Sequence, residues 1–170
     1  MWCLSATRVP RAKSICELYV SYLIDTNVLS ELRRKQPDAH VVAWFAGRAA
    51  QSLFLSVLTL GEIRKGIERL GIERLGDSHA DAARRQSLGD WLEQELPTFF
   101  LGRLLSVDAG VADRWGRLQA NAGRPLPAID SLLAATALHH NLTLVTRNVK
   151  DFADMGVDLI NPWSFEELQN

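Results

Sequence analysis

The chain has only two cysteines, Cys3 and Cys16, and both precede any patterned segment. Two thiols so placed make neither a disulfide framework nor a zinc pattern, and a reducing, cytoplasmic compartment is the expectation. Long apolar runs are also missing. Nothing approaches the ~18 residues of a membrane span, so no membrane partner is expected. The segment Met1 to Lys13 carries positive charge without an apolar run beside it, which makes a poor signal peptide. An excess of one charge sign is absent as well. Nineteen Lys and Arg stand against 20 Asp and Glu, for a formal net charge of −1 and a pI near 6.4. That excludes a polybasic nucleic-acid binder of the kind flagged by a pI above ~9, although a neutral whole can still carry a basic patch.

What is present suits one globular domain. The 170 residues are 47% hydrophobic and 23% charged, enough to bury a sizeable core. Residues 1–17 show no periodicity and are expected to be a poorly ordered extension, with translation starting nearer Tyr19 and the folded domain spanning 18–165. Short β-rich runs (Tyr19 to Ile24, Leu53 to Val57, Leu104 to Val107, Leu142 to Thr146, Asp158 to Ile160) alternate with helical patterns. Such alternation predicts an α/β fold with a mostly parallel central sheet. Asn27 or Thr26 is the expected cap of the first helix, which should run to about Lys35, and Pro37-Asp38 restarts a second. Leu58 to about Gly76 and Ala80 to Leu96 read as two helices of a protruding hairpin. A short duplication, Gly66-Ile67-Glu68-Arg69-Leu70 and Gly71-Ile72-Glu73-Arg74-Leu75, lies inside the hairpin and is too brief for a solenoid repeat.

Four carboxylates stand out by position. Asp25 ends the first strand, Glu62 lies in the first turn of the helix after the second, Asp130 opens a helix after Pro127, and Asp151 follows the fourth strand. In an open α/β sheet ligands bind outside the carboxyl ends of the strands, where all four would fall. Each also has a plainer reading. Asp25 suits an Asx-turn. Thr59-Leu60-Gly61-Glu62 matches a capping box. Asp130 suits the positive end of a helix dipole. Asp151 suits a cap. Singly these readings suffice, but they give no reason for four acids to share one sheet edge.

Carboxylates at close range raise one another's pKa unless a cation intervenes. Mg²⁺ or Mn²⁺ takes hard oxygen ligands, and such an ion can activate water and polarise a phosphoryl group. Asp25, Asp130 and Asp151 are the candidate metal ligands, direct or through water. Glu62 could serve a second ion or orient the attacking water, and one or two metals are both open. Thr146 and Asn148 are secondary candidates for bonding a metal water or the acids, with a cap as the alternative for Asn148. Asn27 is a further secondary candidate, read first as a cap. Glu31 is left between a solvated residue, an arginine partner and a functional one. The tryptophans Trp44, Trp91, Trp115 and Trp163 read as packing anchors rather than base-stacking platforms.

Four ordered blocks then carry a resemblance: Leu23 to Glu31, Leu60 to Gly66, Asp130 with Leu132 to Ala137, and Val145 to Phe152. Together they resemble the PIN-domain family, and more narrowly the VapC-type, FitB-like toxins of bacterial toxin–antitoxin systems. The resemblance spans about Tyr19 to Trp163. It implies an α/β/α sandwich and a Mg²⁺- or Mn²⁺-dependent endoribonuclease acting on RNA. It also implies neutralisation by a cognate antitoxin in a groove that the hairpin helps form, and a homodimer. The extension and the hairpin around Gly71 to Ser78 are longer than the family pattern. The alternative function is a catalytically weak PIN domain acting as a binding module within a DNA-binding toxin–antitoxin complex. A phosphatase with Asp25 as nucleophile would require a second Asp two residues on, where this chain has Asn27.

Overall fold

The structure, a computed structural model, describes residues 20–73 and 79–164. The expected extension over 1–17, the proposed start near Tyr19, the limit of the domain at 165 and the turn of the hairpin lie outside these residues. Five strands form one sheet in the order β3-β2-β1-β4-β5: β1 (Tyr22–Ile24), β2 (Leu53–Ser56), β3 (Leu104–Leu105), β4 (Thr143–Val145) and β5 (Leu159–Ile160). All four pairings are parallel, and Tyr22 faces Leu53 on one side and Thr143 on the other. Among the described residues no helix is long and apolar enough to cross a membrane.

Side-chain alternation along β1 divides the core in two. Tyr22 and Ile24 point to one face, where Val28, Trp44, Leu55, Ile63 and Trp91 pack. Leu23 points to the other, against Leu133, Ala134, Ala137, Leu144 and Phe152. Both faces of the strand are thus covered by helices, which is why it reads as a continuous apolar run. The first layer holds α1 (Thr26–Leu32), α2 (Ala39–Ala46) and the hairpin; α6 (Ala109–Asn121) and α7 (Ala128–His139) form the second. Small residues at Ala134, Ala135 and Ala137 let α7 lie close against the sheet.

Several local expectations are corrected. The N-cap of α1 is Asp25 itself, whose carboxylate accepts from the Thr26 N–H, rather than Thr26 or Asn27, and the helix ends at Leu32 rather than Lys35. The Thr59–Glu62 capping box does not form. Strand β2 passes directly into α3 (Val57–Glu73), with Ser56 Oγ accepting from the Leu58 N–H at 3.2 Å, so Thr59 is already helical and Glu62 sits in the second turn. The second hairpin helix is not uniform. It runs as α4 (His79–Asp90), widens to a π-turn over Trp91–Glu95, and resumes as α5 (Leu96–Phe99) with Pro97 at its start. Proline has no N–H to give the preceding turn and its ring crowds that turn's carbonyl, so the wider winding just upstream relieves both.

Glu31 also finds its place. It is 6% exposed, and its two oxygens accept from the Asp38 N–H at 3.1 Å and from Arg34 Nη1 at 3.0 Å. It ties the end of α1 to the start of α2 and does not line the cleft described below. Glu31→Ala is expected to cost about 1–3 kcal/mol, because the half-buried Asp38 N–H and a guanidinium lose their acceptor. Urea unfolding measures this, with Glu31→Gln, which keeps an oxygen for Asp38, expected to lose less.

Candidate active site

An open cleft of about 360 Å³ lies beyond the carboxyl ends of β1 and β4, with Asp25, Thr26, Asn27, Glu62, Asp130 and Asn148 in its walls. Its position follows from the strand order. β1 is central, so the turn after it borders α3, which follows β2, and the segment after β4. The N-terminus of α7 returns to the same edge because that helix runs back to feed β4.

Asp25 is 7% exposed and held from three sides. Oδ1 accepts from the Thr26 N–H at 2.6 Å; Oδ2 accepts from Asn27 Nδ2 and from Thr146 Oγ1, each at 2.6 Å. The fully buried Thr146 hydroxyl accepts in turn from Asn27 Nδ2 and from the Asn148 N–H, both at 3.0 Å. Asn27 Oδ1 accepts from the Arg147 N–H at 3.1 Å, so this side chain bridges the ends of β1 and β4. Asn148 precedes α8 (Val149–Phe152) without a side-chain capping bond, so it contributes its backbone N–H here rather than a cap. Glu62 is fixed from outside its own helix: its Oε2 accepts the Thr26 hydroxyl at 2.6 Å.

The acids feel one another. Burial pushes the Asp25 carboxyl above its ordinary 3.8. The bonds from Thr146 and Thr26 pull it down, and the charges of Glu62 and Asp130 push it further up. Asp130 is also raised, first by burial, then by the charges of Asp151 and Glu62. Asp151 itself is exposed on α8, outside the cleft wall and near enough to act on Asp130. The structure thus brings Asp25, Glu62 and Asp130 to one cleft, sets Asp151 at its margin, and places Thr146 beneath Asp25. Among the described residues no three carboxylates or imidazoles stand in common ligating reach. The donor set fits a hard divalent ion that keeps most of its waters, since the oxygens ring an open, acidic space rather than a closed cage. The sequence also offers Lys65, as one of several basic residues close to the site and suited to phosphate steering; the Thr26 hydroxyl and the Gly66 portion of the wall were missed. The spacing of Gly66 four residues after Glu62 was the available signal.

The PIN domain family model matches residues 22–157. The chain belongs to the PIN domain family. It is 35% identical over 144 residues to the toxin FitB of Neisseria gonorrhoeae, covering 83% of this chain and 97% of that one. It is 33% identical over the same length to the VapC ribonuclease Y4jK of Sinorhizobium fredii, covering 83% and 96%. The crystal structure of FitAcB from Neisseria gonorrhoeae superposes with a TM-score of 0.73 at 34% identity, covering 85% of this chain and 99% of that one. The PIN fold accounts for the cleft's place at the carboxyl edge of the sheet, and the α/β/α layering expected from the sequence is the one observed.

Proposed function

We propose that this PIN domain is the toxin of a toxin–antitoxin pair and acts as a Mg²⁺- or Mn²⁺-dependent endoribonuclease in the cytoplasm. The relatives named toxin FitB and VapC ribonuclease support the reading. The observation that carries it is a buried Asp25 held in a fixed orientation beside Glu62 and Asp130, where burial and both neighbouring charges disfavour its ionised form. A fold has little reason to keep such a group unless a cation meets it.

Asp25, Asp130 and Asp151 would hold the metal, in part through its waters. The bound ion would lower the pKa of a water and polarise the phosphoryl group. Thr146 and Asn27 fix the rotamer of Asp25, and their bonds favour its charged form. The Thr26 hydroxyl holds Glu62 Oε2 and leaves Oε1 to orient the attacking water or take its proton.

A cognate antitoxin and a second copy of the chain are the partners in this reading. A trough of about 200 Å³ between α1, α2 and the second hairpin helix, lined by Leu29, Leu32, Phe45, Trp91, Leu96 and Phe99, has the apolar character an inserted antitoxin segment would need.

The test is cleavage of RNA by the purified chain in Mg²⁺ or Mn²⁺, with loss of cleavage in chelator. Stability should report the same site. Asp25 and Asp130 bind protons more tightly in the native state than in the unfolded one. Stability of the metal-free protein therefore falls as pH rises from the ordinary 3.8 through the raised native values, because the unfolded chain gives up those protons first. Mn²⁺ at 100 times its Kd should return about 2.7 kcal/mol above that window. Cleavage should rise with pH across the same window. Melting temperatures in EDTA and in Mn²⁺ from pH 4 to 8 measure both; identical curves, together with cleavage indifferent to chelator, would refute the metal site. Mn²⁺ binding without cleavage would favour the binding-module alternative.

A further inference from the structure

The cleft has a wall that the acids do not explain. Glu62, Lys65, Gly66 and Arg69 all line it. Spacings of three, four and seven place them on one face of α3. The opposite face is spoken for. Ile63 and Ile67 are buried in the core, and Arg64 pairs with Glu68 at 3.7 Å and Glu93 at 2.5 Å. Lys65 is exposed, and its ammonium enters none of the ion pairs among the described residues.

Gly66 sharpens the point. A glycine inside a helix costs about 0.5–1 kcal/mol relative to alanine. The usual structural excuse is a close neighbour, and Gly66 has none: a Cβ there would meet no atom within 4 Å. It opens instead onto the cleft, baring helix backbone beside a lysine. The acids on the floor would repel a polyanion, so an RNA entering here requires a cation beside them. An ammonium suits a phosphate as a point charge, and bare backbone allows a strand to lie close.

We propose that the α3 face at Lys65 and Gly66 seats the sugar–phosphate backbone of the RNA strand, Lys65 pairing with a phosphate next to the scissile one and Gly66 giving the strand room. This rests on the ribonuclease reading of the same cleft. Lys65 and Gly66 are positioning residues: they contact the strand away from the reacting atoms.

The experiment uses the full chain and a labelled, unstructured oligoribonucleotide. Anisotropy gives Kd, and cleavage of the same oligonucleotide in Mn²⁺ gives KM and kcat. Lys65→Ala should raise Kd and KM roughly tenfold with kcat little changed, as loss of uniform binding does. Its salt dependence should flatten by about 0.7 in slope, one phosphate contact on a single strand. Gly66→Leu should raise Kd by at least about tenfold by filling the strand's place. Its melting temperature should not fall, because leucine is the better helix former, and its Mn²⁺ titration should match wild type. Arg64→Ala, on the far side of α3, is the control and should bind RNA as wild type does. Wild-type Kd in both Lys65→Ala and Gly66→Leu overturns the proposal and leaves the ribonuclease reading standing, as does an equal loss in Arg64→Ala. RNA binding that weakens as expected in a chain that cleaves nothing upholds the seat while the ribonuclease reading fails. A wild-type chain that binds no RNA overturns both.

Discussion

Asp25→Ala is expected to lower metal-dependent RNA cleavage by roughly 10³-fold or more, about 4 kcal/mol of lost transition-state stabilisation. The variant should still fold, because two effects oppose. Removing the carboxylate strands the Thr26 N–H, the Asn27 amide and the Thr146 hydroxyl, a cost of about 1–3 kcal/mol. It also removes a buried carboxylate, whose burial chiefly holds it above its ordinary pKa, and with it the smaller repulsion from Glu62 and Asp130. Asp130→Ala separates the two effects. The Asp130 side chain has no hydrogen-bonded partner among the described residues, and its carboxyl is raised first by burial, then by the charges of Asp151 and Glu62, so its loss should abolish cleavage without stranding a donor. Cleavage assays alongside circular dichroism melts decide the matter. Full activity in either purified, folded variant would sink the four-acid mechanism, and Mn²⁺ titration of each would show which acid the ion requires.

Trp44→Ala is expected to remove about 3–5 kcal/mol of stability, a large share of the roughly 5–15 kcal/mol that holds a domain together. Trp44 is 1% exposed; its ring meets Tyr22 edge-on at 5.1 Å and 83°, and the Arg48 guanidinium lies 5.1 Å over it. Alanine would empty the largest fully buried side chain of the face that packs α2 against β1 and β2. Urea denaturation measures the loss. A variant that keeps its stability but binds RNA poorly would make Trp44 a stacking platform instead, against its position in the core.

The alternation of strands and helices was legible because parallel strands covered on both faces read as short apolar runs, and Tyr22 to Ile24 and Leu53 to Leu55 do. Capping was less legible. Thr59 and Glu62 carry the right residue types for a capping box, but β2 enters α3 without a loop, so the helix starts before the motif can act. Asn27 looked like a cap for the same kind of local reason, yet its amide is drawn to Asp25 and Thr146 by β4 pairing beside β1. Glu31 was ambiguous because nothing local announces that the Asp38 N–H, seven residues on, will need its oxygen.

By itself the sequence determined the elements, the two apolar faces of each buried strand, and the identity of the acids at strand and helix ends, since periodicity and residue chemistry are local properties. Only the tertiary structure decided which of them meet. The crossover order β3-β2-β1-β4-β5 joins Thr146 to Asp25 across 121 positions and Thr26 to Glu62 across 36. The same order turns one face of α3 toward the acids, and so makes a lysine and a glycine of an ordinary-looking helix into the wall of the cleft. Side-chain orientation and burial depend on what the chain brings alongside, and a strand order is a choice among packings that no single segment encodes.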